Sequence, residues 1–328
     1  MKLPPQPEFW ARSGLAAHLL EPLAWAHAAA AAARRALARP FRVPVPVLCV
    51  GNVVAGGAGK TPVAVSLARH LAARGARPHL LSRGYGGTMA GPLAVDPARH
   101  DAAAVGDEAL LLAAAAPTWI ARDRVAGARA ATASGAGLII MDDGFQNPSL
   151  VKDLSLLVVD GGYGFGYSRV LPAGPLRESV EAALARADAV VIVDADETGV
   201  AARLGDKPVL HAALVPVAAA SFAGAVVAFA GIGRPEKFFR TLAAAGAHIV
   251  ARHAFPDHHR YAAGELAVLA GEAAAAGARL VTTAKDWVRL PPSWRERVAV
   301  LEVELVWQDE AALAALLEPI AAKAAAHA

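Results

Sequence analysis

Short apolar runs alternate along the first two thirds of the chain with longer stretches in which apolar residues recur at helical spacing. The runs that predict buried strands are 47–50, 79–81, 118–120, 138–141, 154–159 and 189–193. The stretches that predict helices are 62–74, 106–116 and 122–134. Strands that are apolar throughout, separated by helices, are typical of a parallel sheet covered on both faces. The pattern therefore predicts an α/β fold whose ligands bind at the carboxyl ends of the strands.

A second, smaller α/β unit is predicted after Ser221. Its apolar runs predict strands at 226–230, 247–251, 280–283 and 298–305, with helices at 235–245, 262–276 and 310–323. The segment near 206–220 contains Pro208 and Pro216, and we interpret it as a linker. Three parts follow from this division: an N-terminal helical segment (1–42), a main domain (43–215) and a C-terminal α/β domain (216–328).

The N-terminal segment predicts two helices, 8–20 and 22–38, the second beginning at Pro22. One helical face carries an apolar stripe: Leu15, Leu19 and Leu23. An arginine cluster follows it: Arg34, Arg35, Arg39 and Arg42. No stretch reaches the roughly 20 apolar residues of a membrane-spanning helix. Two interpretations stay open: the stripe lies on an anionic membrane surface, or it packs on the core of the protein itself.

Composition excludes several classes of protein. Hydrophobic residues make up 55% of the 328 residues and the mean hydropathy is +0.38, which excludes a disordered chain, although alanine supplies much of the excess. Cys49 is the single cysteine, which excludes a disulfide framework and a cysteine-rich zinc site. The net charge of +3 comes with no basic block interleaved with aromatic residues, so no nucleic-acid partner is expected.

The strongest chemical signal is a glycine-rich segment between the first strand and the helix at 62–74. It consists of Val54, Ala55, Gly56, Gly57, Ala58, Gly59, Lys60 and Thr61. This is a phosphate-binding loop (P-loop), in which backbone N–H groups and a helix N-terminus hold phosphates. Lys60 is predicted to reach the β- and γ-phosphates of ATP, and Thr61 to bind Mg²⁺. The standard pattern has glycine where this chain has Val54, so the loop is a variant.

Carboxylates follow two of the other predicted elements. Asp142 and Asp143 end the strand at 138–141, where either could hold Mg²⁺ through water. Asp107 and Glu108 begin a helix, where they could cap the helix or act on an acceptor hydroxyl. We also count Glu108 among the candidate metal ligands.

Loops after other strands supply further candidates. Arg83, Tyr85 and Arg177 lie in glycine- and proline-containing loops and are candidate substrate-binding residues. His258 and His259 are adjacent, so both cannot face one point and a metal pair is not expected. Without other information, a single histidine in this loop is by default a surface residue.

Taken together and in this order, the motifs resemble those of the tetraacyldisaccharide 4′-kinase (lipid A 4′-kinase) family, over nearly the whole chain. Beside the P-loop with its preceding Val50-Gly51-Asn52, they are 81–87, 105–108, 142–146, 171–178, 231–235, 255–258 and 285–286. Two positions depart from the family pattern. Ala58 stands where the family commonly has a hydroxyl residue, and Tyr167 where it often has Asn.

The resemblance implies an ATP- and Mg²⁺-dependent kinase of a P-loop fold. Such an enzyme transfers the γ-phosphate to the 4′-hydroxyl of an acylated glucosamine disaccharide 1-phosphate, forming lipid IVA. The resemblance places the catalytic Asp–His pair on Asp107 and His258, rather than His259, with Lys60 acting on the phosphoryl group. It also implies a location at the cytoplasmic face of the bacterial inner membrane, peripheral or anchored by the N-terminal helix, with no obligate protein partner.

Two other functions stay open at this stage. A membrane-associated P-loop ATPase that switches a partner would hydrolyse ATP without an acceptor and would not need the Asp107–His258 pair. A soluble P-loop kinase or ligase acting on a small metabolite would not need the leucine stripe of the N-terminal segment.

Overall fold

Two separate β-sheets organise the chain, of which the computed structural model describes residues 10, 14–218 and 222–325. Nine strands form the main sheet: β1 (Val47–Gly51), β2 (Pro78–Ser82), β3 (Leu93–Ala94), β4 (Thr118–Ile120), β5 (Leu138–Asp142), β6 (Leu154–Asp160), β7 (Ala189–Val193), β8 (Val209–Pro216) and β13 (Val303–Trp307). Four strands form the second sheet: β9 (Gly224–Ala230), β10 (Ala247–Ala254), β11 (Arg279–Thr283) and β12 (Ala299–Leu301).

Eleven α-helices are found in the described ranges. They are α1 (Leu15–Leu37), α2 (Lys60–Ala72), α3 (Ala102–Val105), α4 (Asp107–Ala113), α5 (Arg124–Ala133), α6 (Val180–Leu184), α7 (Pro235–Ala244), α8 (Ala263–Ala275), α9 (Ala284–Trp287), α10 (Pro292–Arg295) and α11 (Glu310–Ala325). Apolar residues of α2 and α11 pack on one face of the main sheet, and those of α5 and α6 on the other. This layering agrees with strands that are buried along their whole length.

The order of strands brings the loops of interest to one edge. In the main sheet the order is β13-β8-β7-β6-β1-β5-β2-β4-β3, and only the two end strands β13 and β3 run antiparallel to their neighbours. Strand β1 is central, between β5 and β6, so the P-loop that follows it opens beside the ends of both. The predicted α/β class with a parallel sheet covered on both faces is confirmed.

The structure corrects the sequence prediction at two places near the C-terminal unit. The segment near 206–220 is not a linker, because it contains β8, which pairs with β7 in the main sheet. The predicted strand at 298–305 is two strands, β12 in the second sheet and β13 in the main sheet. An apolar run indicates that a strand is buried, but not which sheet it joins. The three-part division stays a proposal, amended so that 303–325 belong with the main sheet.

The N-terminal segment also differs from its prediction. A single helix, α1, runs from Leu15 to Leu37 with Pro22 inside it, instead of two helices separated at Pro22. Because Pro22 lies on an exposed side of α1, the carbonyl that loses its hydrogen bond there is open to water. Most of the predicted residues 8–14 lie outside the described residues.

One face of α1 is turned away from the protein. Leu15, Leu19 and Leu23 are exposed, whereas Ala17 and Ala24 on the opposite side are buried. Of the two interpretations of the stripe, packing on the core of the protein is therefore wrong. No helix in the described ranges is long and apolar enough to cross a membrane.

Candidate active site

The P-loop is held open by its glycines and by a neighbouring strand-like segment. Gly56 has a φ of 126° and Gly59 a φ of 82°, values that favour glycine. Val54, by contrast, forms an antiparallel bridge with Leu176, an extended conformation that suits a β-branched residue. Position 54 therefore does not need the glycine of the standard pattern. Lys60, which begins α2, is almost fully buried.

Two carboxylates at the end of β5 have different surroundings. The Thr61 hydroxyl donates to Oδ2 of Asp142 at 3.1 Å, and among the described residues no donor reaches Oδ1 of this buried carboxylate. Burial, and next the negative charge of Glu108, raise the pKa of Asp142 to about 7. Burial also raises the pKa of Asp143, but Lys60 at 3.6 Å and Arg177 at 2.8 Å outweigh it and hold that pKa below its ordinary value.

Asp107 and His258, which are 151 residues apart, meet at the edge of the main sheet. His258 Nδ1 lies 2.9 Å from Oδ2 of Asp107, whose side chain is buried. Burial raises the pKa of Asp107, but the hydrogen bond from His258 and the charges of Lys285, His258 and Arg289 hold it well below its ordinary value. Asp107 is thus ionised and can only accept, so Nδ1 of His258 donates.

The two adjacent histidines face different partners. His258 has a φ of 59°, and its backbone N–H donates to the Gly231 carbonyl at 3.1 Å. His259 stacks on the ring of Phe255 and approaches Glu265 at 3.1 Å. The structure therefore brings His258, and not His259, to Asp107, as the resemblance implies.

The loops of the second sheet lie directly on the P-loop. A Cβ atom at Gly233 would be 3.1 Å from the backbone nitrogen of Gly57 and 3.4 Å from Oδ2 of Asp257, so only glycine passes there without displacing a neighbour. On α7, Lys237 pairs with Asp160 at 2.9 Å, where β6 of the main sheet ends. The P-loop and the Asp107–His258 pair thus both lie where the two sheets meet.

Comparison with known proteins identifies the family that has these features. A family model described as tetraacyldisaccharide-1-P 4'-kinase matches residues 16–321. The chain belongs to this kinase family. A tetraacyldisaccharide 4'-kinase of Rhodospirillum centenum is 57% identical over 324 residues, covering 96% of each chain. Its counterpart from Paramagnetospirillum magneticum is 54% identical over 97% of this chain and 99% of its own length.

A solved structure has the same fold. The crystal structure of LpxK from Aquifex aeolicus in complex with ATP superposes with a TM-score of 0.75 at 27% identity. The match covers 93% of this chain and 99% of that one. The similarity therefore includes both sheets.

The three candidate substrate residues of this family member lie in different places. The Tyr85 ring is 5.2 Å from the His258 ring, which puts Tyr85 beside the Asp–His pair. Arg177 contacts Asp143, which also pairs with Lys60, and so it lies on the P-loop side of the site. Arg83 is exposed at the end of β2 and is not brought to either group by a described contact.

The residues present fit a magnesium ion at Asp142. Mg²⁺ in kinases usually takes one or two carboxylates, substrate phosphates and waters. A buried carboxylate oxygen without a donor, next to the Thr61 hydroxyl, provides such a site. Asp143 and Glu108 are less available, because Asp143 pairs with two cations and Glu108 pairs with Lys285 at 3.2 Å.

Sequence reasoning assigned no role to two side chains around the Asp–His pair, Lys285 and Arg289. Lys285 lies in the motif 285–286, which gives it no individual role, and in the structure it contacts both Glu108 and Asp257. Arg289 contacts Asp107 and belongs to none of the quoted motifs. No signal in a single sequence would have found Arg289, because the contact joins segments 182 residues apart (289 − 107 = 182).

Proposed function

We propose that this chain transfers the γ-phosphate of ATP to the 4′-hydroxyl of tetraacyldisaccharide 1-phosphate, with Mg²⁺, in lipid A biosynthesis. Family membership over 16–321 supports the reaction. One structural observation carries it: a P-loop and a buried aspartate–histidine pair both lie at the junction of the two sheets. An ATPase switch without an acceptor would not need that pair.

The residues of the chain divide the work between phosphate and acceptor. The P-loop amides of 54–61 and Lys60 hold the phosphates and take up charge on the transferring group. Mg²⁺, held by Asp142 and Thr61, would neutralise phosphate charge. Asp143 keeps Lys60 in place through their ion pair.

On the acceptor side, Asp107 orients the 4′-hydroxyl and His258 orients Asp107. A carboxylate with a lowered pKa is a weak base, so Asp107 takes the proton late, as the new oxygen–phosphorus bond forms and the acidity of the hydroxyl rises. The bond from the γ-phosphorus to the bridging oxygen breaks, ADP leaves, and the proton passes to solvent.

Transfer of label to the lipid tests this proposal. Purified protein, γ-labelled ATP, Mg²⁺ and tetraacyldisaccharide 1-phosphate in detergent micelles are expected to yield labelled lipid, with a second phosphate monoester in the ³¹P spectrum. The Lys60→Met variant serves as the control. Labelled inorganic phosphate without labelled lipid would favour the ATPase switch, and label only in a soluble acceptor would favour a metabolite kinase.

We propose further that α1 holds the enzyme on the inner-membrane surface, at its cytoplasmic face. Its exposed leucines and Trp25 form an apolar surface on the side away from the sheet. Opposite them α1 is fixed to the main unit by ion pairs, Arg35 with Glu178 at 3.3 Å and Glu21 with Arg169 at 3.3 Å. A helix docked on one side and apolar on the other suits a membrane interface, where the acylated substrate resides.

Replacing two leucines of the stripe tests this attachment. The double variant Leu19→Glu/Leu23→Glu is expected to bind vesicles containing anionic phospholipid at least about tenfold more weakly, since each buried leucine contributes about 1.5–3 kcal/mol. Vesicle co-sedimentation measures the change. Val268→Glu, at an exposed apolar residue of α8, is the matched control and should bind as the wild type does. Equal binding by the double variant and the wild type would contradict the proposal.

A further inference from the structure

Arg289 is a buried cation at the junction of the two sheets. Its side chain is 4% exposed and its Nε lies 3.1 Å from Oδ2 of Asp107. Asp107 Oδ2 is the same oxygen that accepts the hydrogen bond from His258. Arg289, from the second unit, therefore contacts the carboxylate of Asp107, which the main unit contributes to the site.

The same guanidinium also holds the loop that carries His258. Arg289 Nη1 donates to the carbonyls of Gly231 and His259, both at 3.0 Å. The Gly231 carbonyl in turn accepts the backbone N–H of His258. Arg289 therefore holds both the carbonyl that the His258 backbone N–H binds and the carbonyl of the next residue, His259. These bonds help to hold the left-handed backbone of His258, whose φ is 59°.

Contacts within its own segment fix the direction of Arg289. Nε donates to the Lys285 carbonyl at 2.9 Å, and Nη2 lies 3.2 Å from Oδ1 of Asp286, which is fully buried. Asp286 Oδ1 also accepts from the Gly231 N–H at 2.8 Å and the Tyr261 hydroxyl at 2.7 Å. The planar guanidinium donates hydrogen bonds from Nε and Nη1 while its charge faces the carboxylates of Asp286 and Asp107, an arrangement that a lysine ammonium cannot reproduce.

We propose that Arg289 is a positioning residue for phosphate transfer: it holds the Asp107 carboxylate and the His258 loop in one geometry. It acts through Asp107 and His258 and does not touch the substrate. The inference rests on the proposed function, because it assigns Arg289 a part in the same reaction. A purely structural role would instead lower stability and impair every step of the reaction alike.

Turnover and nucleotide affinity separate these roles. Arg289→Met is expected to lower kcat by about a hundredfold, since misplacement of a reacting group by about 1 Å can cost that much. KM for ATP should stay within about twofold, because none of the described contacts of Arg289 is with a P-loop residue. Arg289→Lys keeps the charge and should recover part of the loss. Arg295→Lys is the control: Arg295 bonds the Leu290 and Val288 carbonyls, and none of its described contacts is with the Asp–His pair.

A double-mutant cycle tests whether Arg289 acts through Asp107. Single-turnover transfer of label is measured for Asp107→Asn, Arg289→Met and the double variant. Residues that work as one unit have non-additive effects, so we expect Arg289→Met to cost at most about threefold when Asp107 is already Asn. Arg289→Lys takes its place in the cycle if Arg289→Met does not fold.

Each outcome distinguishes this inference from the proposed function. Wild-type turnover in the Arg289 variants, or the same cost with and without the Asp107 carboxylate, would overturn the positioning role while the kinase activity stands. Wild-type protein that binds ATP but labels no lipid would overturn the proposed function and the inference together.

Discussion

Asp107→Asn is expected to lower kcat for lipid phosphorylation by about a thousandfold, within the range typical of a positioned acid–base group. Asparagine keeps the shape of the side chain but removes the negative charge that the His258 N–H and Arg289 surround. The affinity for ATP should change little, because no described contact joins Asp107 to the P-loop. Steady-state kinetics with labelled ATP, together with a nucleotide-binding titration, measure both quantities.

The neighbouring histidines provide a matched pair for the same experiment. His258→Ala should lower kcat by roughly a hundredfold, the lower end of the range for such groups. His259→Ala, one residue further on, should leave kcat within a few fold, because its side chain contacts Phe255 and Glu265 instead of Asp107. Full activity in both Asp107→Asn and His258→Ala would refute our assignment of the acceptor side.

Asp142→Asn is expected to lower turnover at least about a hundredfold and to raise the Mg²⁺ concentration required for activity, since metal stabilisation of phosphate charge supplies several kcal/mol. In the wild type, binding of Mg²⁺ should also depend on pH. Burial and Glu108 raise the pKa of Asp142 to about 7, so the carboxyl group is mostly protonated at pH 6 and must lose its proton to bind the ion. Affinity should therefore rise with pH, by up to about tenfold per unit below pH 7, and level off above it.

Calorimetric titration of Mg²⁺ into the ADP complex, repeated at several pH values, checks this dependence. ADP is present in every titration, so the difference in slope between the wild type and Asp142→Asn measures what the carboxyl group contributes. Asp143→Asn should still show the pH dependence, with its midpoint moved to lower pH, because the charge of Asp143 is one of the causes that raise the pKa of Asp142. Equal slopes for the wild type and Asp142→Asn would contradict Asp142 as the titrating ligand.

Predictions that depended on neighbouring residues agreed best with the structure. Main-sheet strands before residue 200 lie within two residues of their apolar runs, apart from the two-residue strand β3, which was not predicted. Predictions failed where they depended on which distant segments of the chain pair with each other. The run 298–305 is divided between two sheets. Helix α1 continues through Pro22, where a second helix was predicted to begin, and it packs against the main unit through Ala17 and Ala24.

The sequence by itself determined the P-loop and the parallel sheet, because glycine conformations and the alternation of apolar runs act over a few residues. It brought Asp107 and His258 together only through the family resemblance. The tertiary structure decided that His258 and not His259 meets Asp107, that Arg289 contacts Asp107 and the loop of His258, and that the leucine stripe faces outward. Those contacts join residues at least 30 positions apart or depend on how a helix is rotated against its neighbours. Both are consequences of how the whole chain packs, which local sequence patterns do not encode.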